Sequence, residues 1–329
     1  MIIKHFFICQ TPFQLTYADL IIESISQNNL SNHKFFLYHS GLKILNTNNQ
    51  VKYLNYKSKK KLEIISLISA FQNFKGELKS NRNNQSYVYF SHIGGLFSNY
   101  IFYSKKPGDN IDLCLFYERV LSFYDFRERF NLSHLKRIIL ATILGFFYRY
   151  NPVICPYDSN KITKIFTPFP HYTKGDSKKI VKIDFKKEYS FKTTKQKSIL
   201  ILGGPVTYLK EFYDEIISYI TLNKKNQTHK LFYKGHSSFL RENKKFKNLF
   251  DEMLTKENIS FDSLDITLPI ENILKTIKVD EIHSYYSSSL INIKAIHQHT
   301  KLYCYIKDSN QPKEIVQIFD KNGIVIKPI

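Results

Sequence analysis

At 329 residues, with 43% hydrophobic and 15% aromatic side chains, the chain can build two packed domains and is too apolar for native disorder. Its 48 Lys and Arg against 28 Asp and Glu leave a net charge of +20, which suits a polyanion, an anionic membrane surface or an acidic small molecule. Four scattered cysteines without a CxxC pair argue against a zinc site or a disulfide framework, and point to a reducing compartment.

In chain order, Ile2 to Cys9 reads as a buried strand, followed by a helix with Thr11 as N-cap and Pro12 in its first turn. The start has a short apolar run but no small-residue cleavage site, so a first strand is expected in place of a signal peptide. Lys34–Tyr38, Ser86–Phe90 and Asp112–Phe116 are further buried strands. The segment Ile138–Phe147, flanked by Lys136, Arg137 and Arg149, is too short to span a bilayer. It fits an interfacial helix as well as a core or dimer-interface helix. Residues 151–197 hold four prolines and then a Lys-rich stretch, read as an interdomain connection with hairpin character. A second α/β unit begins at Ser198–Leu202, with later strands at Lys230–Tyr233, Glu281–Ser284 and Lys301–Ile306. Helices are expected from about Thr207, over Glu271–Thr276 and after Ser287.

This alternation predicts an α/β protein with two Rossmann-like domains facing a cleft. The expected boundaries are 1–175 for the first domain, 176–197 for a basic connector and 198–329 for the second domain.

The chemistry-bearing residues fall where strands end, which is where ligands bind in doubly wound sheets. Gln10, Thr11 and Gln14 follow the first strand and could meet an acceptor hydroxyl or an anion, or simply cap the helix. Gly203 and Gly204 permit close backbone approach but form neither GxGxxG nor a P-loop. Lys234-Gly235-His236 places a histidine just past a strand, suited to proton donation or to stabilising a leaving phosphate. Ser287, Ser288 and Ser289 open an apolar helix; one serine would serve simple N-capping, while hydroxyls and free backbone N–H groups there could make a phosphate cradle that needs no metal. Glu118, after the Asp112–Phe116 strand, is a candidate general base, or an ion-pair partner for Arg119 or Arg127.

The chain resembles the bacterial family 52 glycosyltransferases, the lipooligosaccharide sialyltransferase group, and more loosely the bacterial polysialyltransferases. The stretches that carry the likeness are FFICQTPFQLTYADLII, LILGGPVTYLKE, LPIENIL and YYSSSLINIKAI, with weaker echoes in FYKGHSSFLRE, IFTPFPHYTKG and FDKNGIVIKPI. The resemblance implies a GT-B-like fold and an inverting, metal-independent transfer of sialic acid from CMP-sialic acid to a bacterial surface glycan. That glycan would be a lipooligosaccharide, an O-antigen or a capsule. It further implies that Ser287 and Ser288, supported by Ser289, hold the CMP phosphate. Glu271 would lie near the ribose or cytosine, with Gly203, Gly204 and Lys234 bordering the donor. His236 would assist departure of CMP, and Glu118 would deprotonate the acceptor on the side of Gln10, Thr11, Gln14 and Arg119.

Two departures stand out. Tyr117-Glu118-Arg119 replaces the family's paired acid and glycine, and His236-Ser237 replaces its His-Pro. Glucosyltransfer also occurs in that family, so another donor is an alternative, as is a non-catalytic CMP-sugar-binding relative. From a different class, a basic nucleic-acid-binding protein is the rival, although no recognised nucleic-acid motif is present. A cytoplasmic protein, peripheral at the inner membrane and compatible with a homodimer, is the expected setting.

Overall fold

The computed structural model describes residues 2–27, 32–44, 48–57, 63–80, 84–124, 126–185, 197–203, 209–224, 230–235, 252, 255–256, 260–307 and 312–329. The chain divides into two compact units, Met1–Asp184 and Phe185–Ile329.

The first unit is built on a seven-stranded sheet. Its strands are β1 (Ile3–Cys9), β2 (His33–His39), β3 (Val51–Asn55), β4 (Ser86–Phe90), β5 (Ile111–Phe116), β6 (Ile162–Thr167) and β7 (Ile180–Lys182), in the order β3-β2-β1-β4-β5-β6-β7. Every pairing is parallel. Parallel strands are covered on both faces and so read as continuous apolar runs, as in HFFIC of β1. Helices α1 (Pro12–Ser26), α2 (Glu63–Lys79), α3 (Leu96–Ser104) and α4 (Leu132–Ile143) complete the unit. One large aromatic core joins Phe6, Phe71, Phe74, Phe90 and Phe97.

The second unit carries β8 (Ser198–Leu202), β9 (Lys230–Lys234), β10 (Asp262–Ser263), β11 (Glu281–Tyr285), β12 (Lys301–Ile306) and β13 (Val325–Pro328). They lie in the order β10-β9-β8-β11-β12-β13, again all parallel. This is the doubly wound 3-2-1-4-5-6 arrangement. Its helices are α5 (Leu209–Lys224), α6 (Ile270–Ile273), α7 (Ser289–Ile296) and α8 (Lys313–Lys321).

One expectation needs correction. The stretch from 151 to 184 is not a connector with a hairpin. Ile162–Thr167 and Ile180–Lys182 extend the first sheet as parallel strands, with Ile165 opposite Ile180, and the first unit ends at Asp184, beyond the expected 175. The prolines that suggested irregular chain lie in the loops flanking β6, and β7, preceded by Lys178 and Lys179 and ending in Lys182, is an edge strand, where charge is tolerated. Residues 186–196 of the expected connector lie outside the described residues.

Helix α4 leaves one apolar stripe outside this chain's core. Its Leu132, Leu135, Ile139 and Ile143 are exposed, while His134 and Ala141 face inward. Cys9, Cys114 and Cys304 are buried and free, small core groups, and burial raises the Cys114 and Cys304 thiols to about 12.

Candidate functional site

In the first unit the strand order reverses between β1 and β4, which opens a crevice at their carboxyl ends. Register brings the strand ends level: Phe7 lies opposite Tyr89, and Phe90 opposite Leu115. Three loops therefore meet there, namely Gln10-Thr11 after β1, Ser91–Gly95 after β4 and Tyr117–Ser122 after β5.

Thr11 caps α1, its hydroxyl accepting from the Gln14 backbone N–H at 3.3 Å, with Pro12 following in the first turn. The capping role of Thr11 and the crevice position of Gln14 thus arise from one helix start. Gln14 is buried. Its amide nitrogen donates to Glu118 Oε2 at 2.7 Å and to Ser91 Oγ at 2.6 Å, and its Oε1 accepts from the Gln10 backbone N–H at 2.6 Å. Both amide hydrogens are committed, so Gln14 acts here as the clamp of Glu118.

The carboxylate itself is half-buried, and the Glu118 backbone N–H donates to Ser122 Oγ at 2.9 Å. Ser122 Oγ lies 2.7 Å from the Tyr157 hydroxyl. A fixed carboxylate at a strand end is the arrangement that proton abstraction from a bound hydroxyl needs.

Gln10 packs its side chain onto Gly95, so a Cβ there would displace the Gln10 amide group. Arg119 adopts φ +52°, the left-handed region that costs a non-glycine residue about 1 kcal/mol or more. Its guanidinium lies 4.3 Å from the Phe13 ring centroid, while its Nε is buried without a hydrogen-bond partner.

Sequence reasoning passed over Ser91, His92, Gly94 and Gly95. The signal was present: a serine, a histidine and paired glycines directly follow the Ser86–Phe90 strand, as Gly203 and His236 follow theirs. His92 Nδ1 accepts from the Gly94 backbone N–H at 3.1 Å. Burial holds this imidazole below the ordinary histidine value; nearby Glu118 and Glu128 oppose that effect and Arg137 adds to it. A separate cavity of about 220 Å³, lined by Leu121, Tyr124, Cys155 and Tyr157 among others, contains none of the predicted site residues.

In the second unit the reversal lies between β8 and β11. Gly203 follows β8, its N–H donating to the Lys234 carbonyl at 2.9 Å, and Lys234 Nζ reaches the Ile266 carbonyl at 3.5 Å. Gly204 and His236 lie outside the described residues. After β11 the chain runs through Ser287 and Ser288 into α7. Ser287 Oγ accepts from the Ser289 backbone N–H at 3.3 Å, and Ser288, the N-cap, makes no side-chain capping bond. Three serines thus exceed what capping consumes. Ser289 is buried under the start of the helix.

Glu271, at the start of α6, is 1% exposed and accepts at Oε1 from Asn292 Nδ2 on α7 at 2.8 Å. Its Oε2, and Asn292 Oδ1, are buried without a hydrogen-bond partner. A buried carboxylate oxygen left unpaired costs about 1–3 kcal/mol, which marks the α6–α7 junction as a place built for an added donor. Among the described residues no three His, Cys, Asp or Glu side chains gather as a metal site needs.

No family model matches the chain, and no curated protein matches it. Solved structures do. The GT-B domain of a sialyltransferase from Photobacterium damselae is 12% identical with a TM-score of 0.53, the match covering all of both chains. UDP-GlcNAc 2-epimerase from Methanocaldococcus jannaschii is 13% identical with a TM-score of 0.54 over 99% of this chain and 89% of that one. WaaG, a glycosyltransferase involved in lipopolysaccharide biosynthesis, is 12% identical with a TM-score of 0.51 over 99% and 86%. At such identities the likeness carries the fold alone. It agrees with the two parallel sheets: the chain has the GT-B-like architecture of two Rossmann-like domains.

Proposed function

We propose that the chain is an inverting sialyltransferase that moves sialic acid from CMP-sialic acid to a terminal sugar of a bacterial surface glycan. The fold is one on which nucleotide-sugar chemistry occurs among the structural neighbours, and the resemblance of the YYSSSLINIKAI stretch favours CMP as the nucleotide. The observation that carries the reading is the clamped carboxylate: Glu118, held by Gln14 at 2.7 Å, lies where a parallel sheet receives its ligand, which supports a role as base.

In the reaction, Glu118 takes the proton of the acceptor hydroxyl as that oxygen bonds to the anomeric carbon of the donor sugar. The bond from that carbon to the phosphate oxygen breaks on the opposite face, and the electron pair leaves with CMP. Ser287, Ser288 and the N-terminus of α7 receive the phosphate charge, and the free oxygen of Glu271 accepts from a hydroxyl or amine of the nucleoside. His236 is the candidate donor of a proton or positive charge to the departing phosphate, on the ground of its sequence position. The chain's own groups provide the base and the anion site, and no metal takes part in this scheme.

The test is a donor screen with the full chain: CMP-sialate, CMP-Kdo and UDP-sugars against lactose- and sialoside-terminated acceptors, read by mass spectrometry. Transfer from CMP-sialate alone is the expected result. Transfer from a UDP-sugar would replace the donor while keeping the base. CMP binding without transfer from any donor would reduce the chain to a binding protein.

A further inference from the structure

Seven of the twelve exposed large hydrophobics among the described residues lie between Phe130 and Val153. The chief ones form one surface: Phe130 (56% exposed), Leu132 (84%), Leu135 (48%), Ile139 (55%), Ile143 (50%) and Phe147 (91%). Leu132, Leu135, Ile139 and Ile143 recur at spacings of three and four, which stacks them along one face of α4. The opposite face, with His134 and Ala141, is the buried one. The helix therefore shows an apolar stripe outward in addition to Leu140, Ala141 and Leu144, which pack on the core.

The chain that follows the helix is firmly anchored. The Arg149 backbone N–H donates to Asn99 Oδ1 at 3.0 Å, Asn99 Nδ2 donates to the Arg149 carbonyl at 2.9 Å, and the Tyr148 hydroxyl donates to the Gly94 carbonyl at 3.0 Å. Gly145, at φ +76°, ends the helix in a Schellman turn, with Phe146 N–H donating to the Ala141 carbonyl and Gly145 N–H to the Thr142 carbonyl, both at 3.0 Å. That turn presents Phe147 beyond the helix end.

The charge around this surface has one sign. Between Phe126 and Tyr150 the sequence holds five Arg and Lys and a single carboxylate, Glu128. Glu128 is turned toward His134, at 3.2 Å, and Arg137, at 3.9 Å. Arg127, Arg129, Lys136 and Arg149 are exposed beside the apolar stripe. At twelve residues α4 is about 18 Å long, too short to cross a hydrocarbon core of about 30 Å. A short apolar face framed by cations has the chemistry of a helix lying in a membrane interface.

We propose that α4 and the Phe147 turn dock this protein flat onto an anionic lipid bilayer, with the stripe among the acyl chains and the four cations against phosphate headgroups. The inference is independent of the donor assignment and goes beyond it.

The native chain contains no tryptophan, so Phe147→Trp gives a single fluorescent reporter. Its emission should shift to the blue on adding vesicles of phosphatidylcholine mixed with phosphatidylglycerol, and should be quenched when the acyl chains are brominated. In co-sedimentation the unsubstituted protein should bind those vesicles at least about tenfold more tightly than pure phosphatidylcholine, and less tightly as salt is raised. The triple variant Leu135→Ser/Ile139→Ser/Ile143→Ser should lose the binding by about tenfold or more, whereas Leu222→Ser, exposed in the second unit, should not. Equal binding to the two vesicle types, or unchanged binding in the triple variant, would overturn the proposal. So would a dimer that the triple variant abolishes in a protein that ignores vesicles, because the stripe would then be a contact between copies.

Discussion

Glu118 and Gln14 are 104 positions apart in sequence, yet their side chains lie 2.7 Å apart. Each was legible alone, as an acid after one strand and a glutamine at the start of a helix after another. Their pairing was not, because the parallel register that brings the two strand ends level is a property of the whole sheet. Ser91, the third member of that cluster, was passed over for the same reason. Two predictions belong at this scale. Glu118→Gln should lower transfer by about 10²-fold or more with CMP affinity unchanged, as measured by initial rates and calorimetry. Gln14→Leu removes the clamp and leaves the carboxylate in place. It should lower kcat about tenfold while the KM for donor stays put, and a full kcat would deny Gln14 any positioning role. Arg119 adds a different case. It stands where the resembled family has a glycine, and its backbone keeps φ +52°, a conformation glycine adopts freely. Arg119→Gly should therefore gain about 1 kcal/mol of backbone relief, set against about 0.5–1 kcal/mol of lost stacking on Phe13. A urea midpoint lowered by far more than this would show that the guanidinium carries a structural load.

At the scale of elements, most strands were readable because buried parallel strands are continuous apolar runs. Of the ones missed, β3, β7, β10 and β13 are sheet edges of mixed composition and β6 is bounded by prolines, so local composition pointed to loop while pairing with a neighbouring strand made them sheet. Helix α4 shows the converse limit: its apolar run was evident, but a run does not say which face meets the protein. The α6–α7 junction yields the prediction at this level. Glu271→Gln keeps the shape of a side chain whose Oε2 lacks a partner, and gives it a donor that can reach the equally unpaired Asn292 Oδ1. The unliganded variant should thus match or exceed the parent in stability by about 1 kcal/mol, while CMP affinity falls about tenfold. Loss of stability with unchanged CMP affinity would make the Glu271–Asn292 pair a structural tie. Ser288→Ala should weaken CMP binding without moving the melting temperature, since Ser288 provides no cap bond, whereas Ser287→Ala also removes the acceptor of the Ser289 N–H.

Over the whole molecule, the net charge of +20 says little about how stability changes with acid; buried histidines say more. His5 is 3% exposed in the middle of β1, stacked against His33, Phe35 and Tyr87, with Nδ1 at 3.1 Å from the Tyr89 hydroxyl and Nε2 at 2.8 Å from His33 Nδ1. Burial, then His33 and Lys164, lower its pKa from 6.5 to about 3. The folded chain therefore refuses a proton that the unfolded chain accepts below pH 6.5. The stability tied to a neutral His5 is complete above that pH and falls by about 1.4 kcal/mol per pH unit as the pH drops toward 3. Burial lowers His39 and His283 as well, which steepens the same limb, and Glu281, held below the usual carboxylate range chiefly by His283, adds its loss below about pH 4.5. His5→Phe fills the stacked position without a titrating group. It should cost about 1–3 kcal/mol at pH 7, where Tyr89 and His33 lose a partner, and then lose less on acidification. Urea midpoints from pH 7 to pH 4 should show the variant's curve shallower by about one proton's slope, closing the gap with the parent as the pH falls. Parallel curves across that range would mean that His5 enters the folded state already able to take its proton.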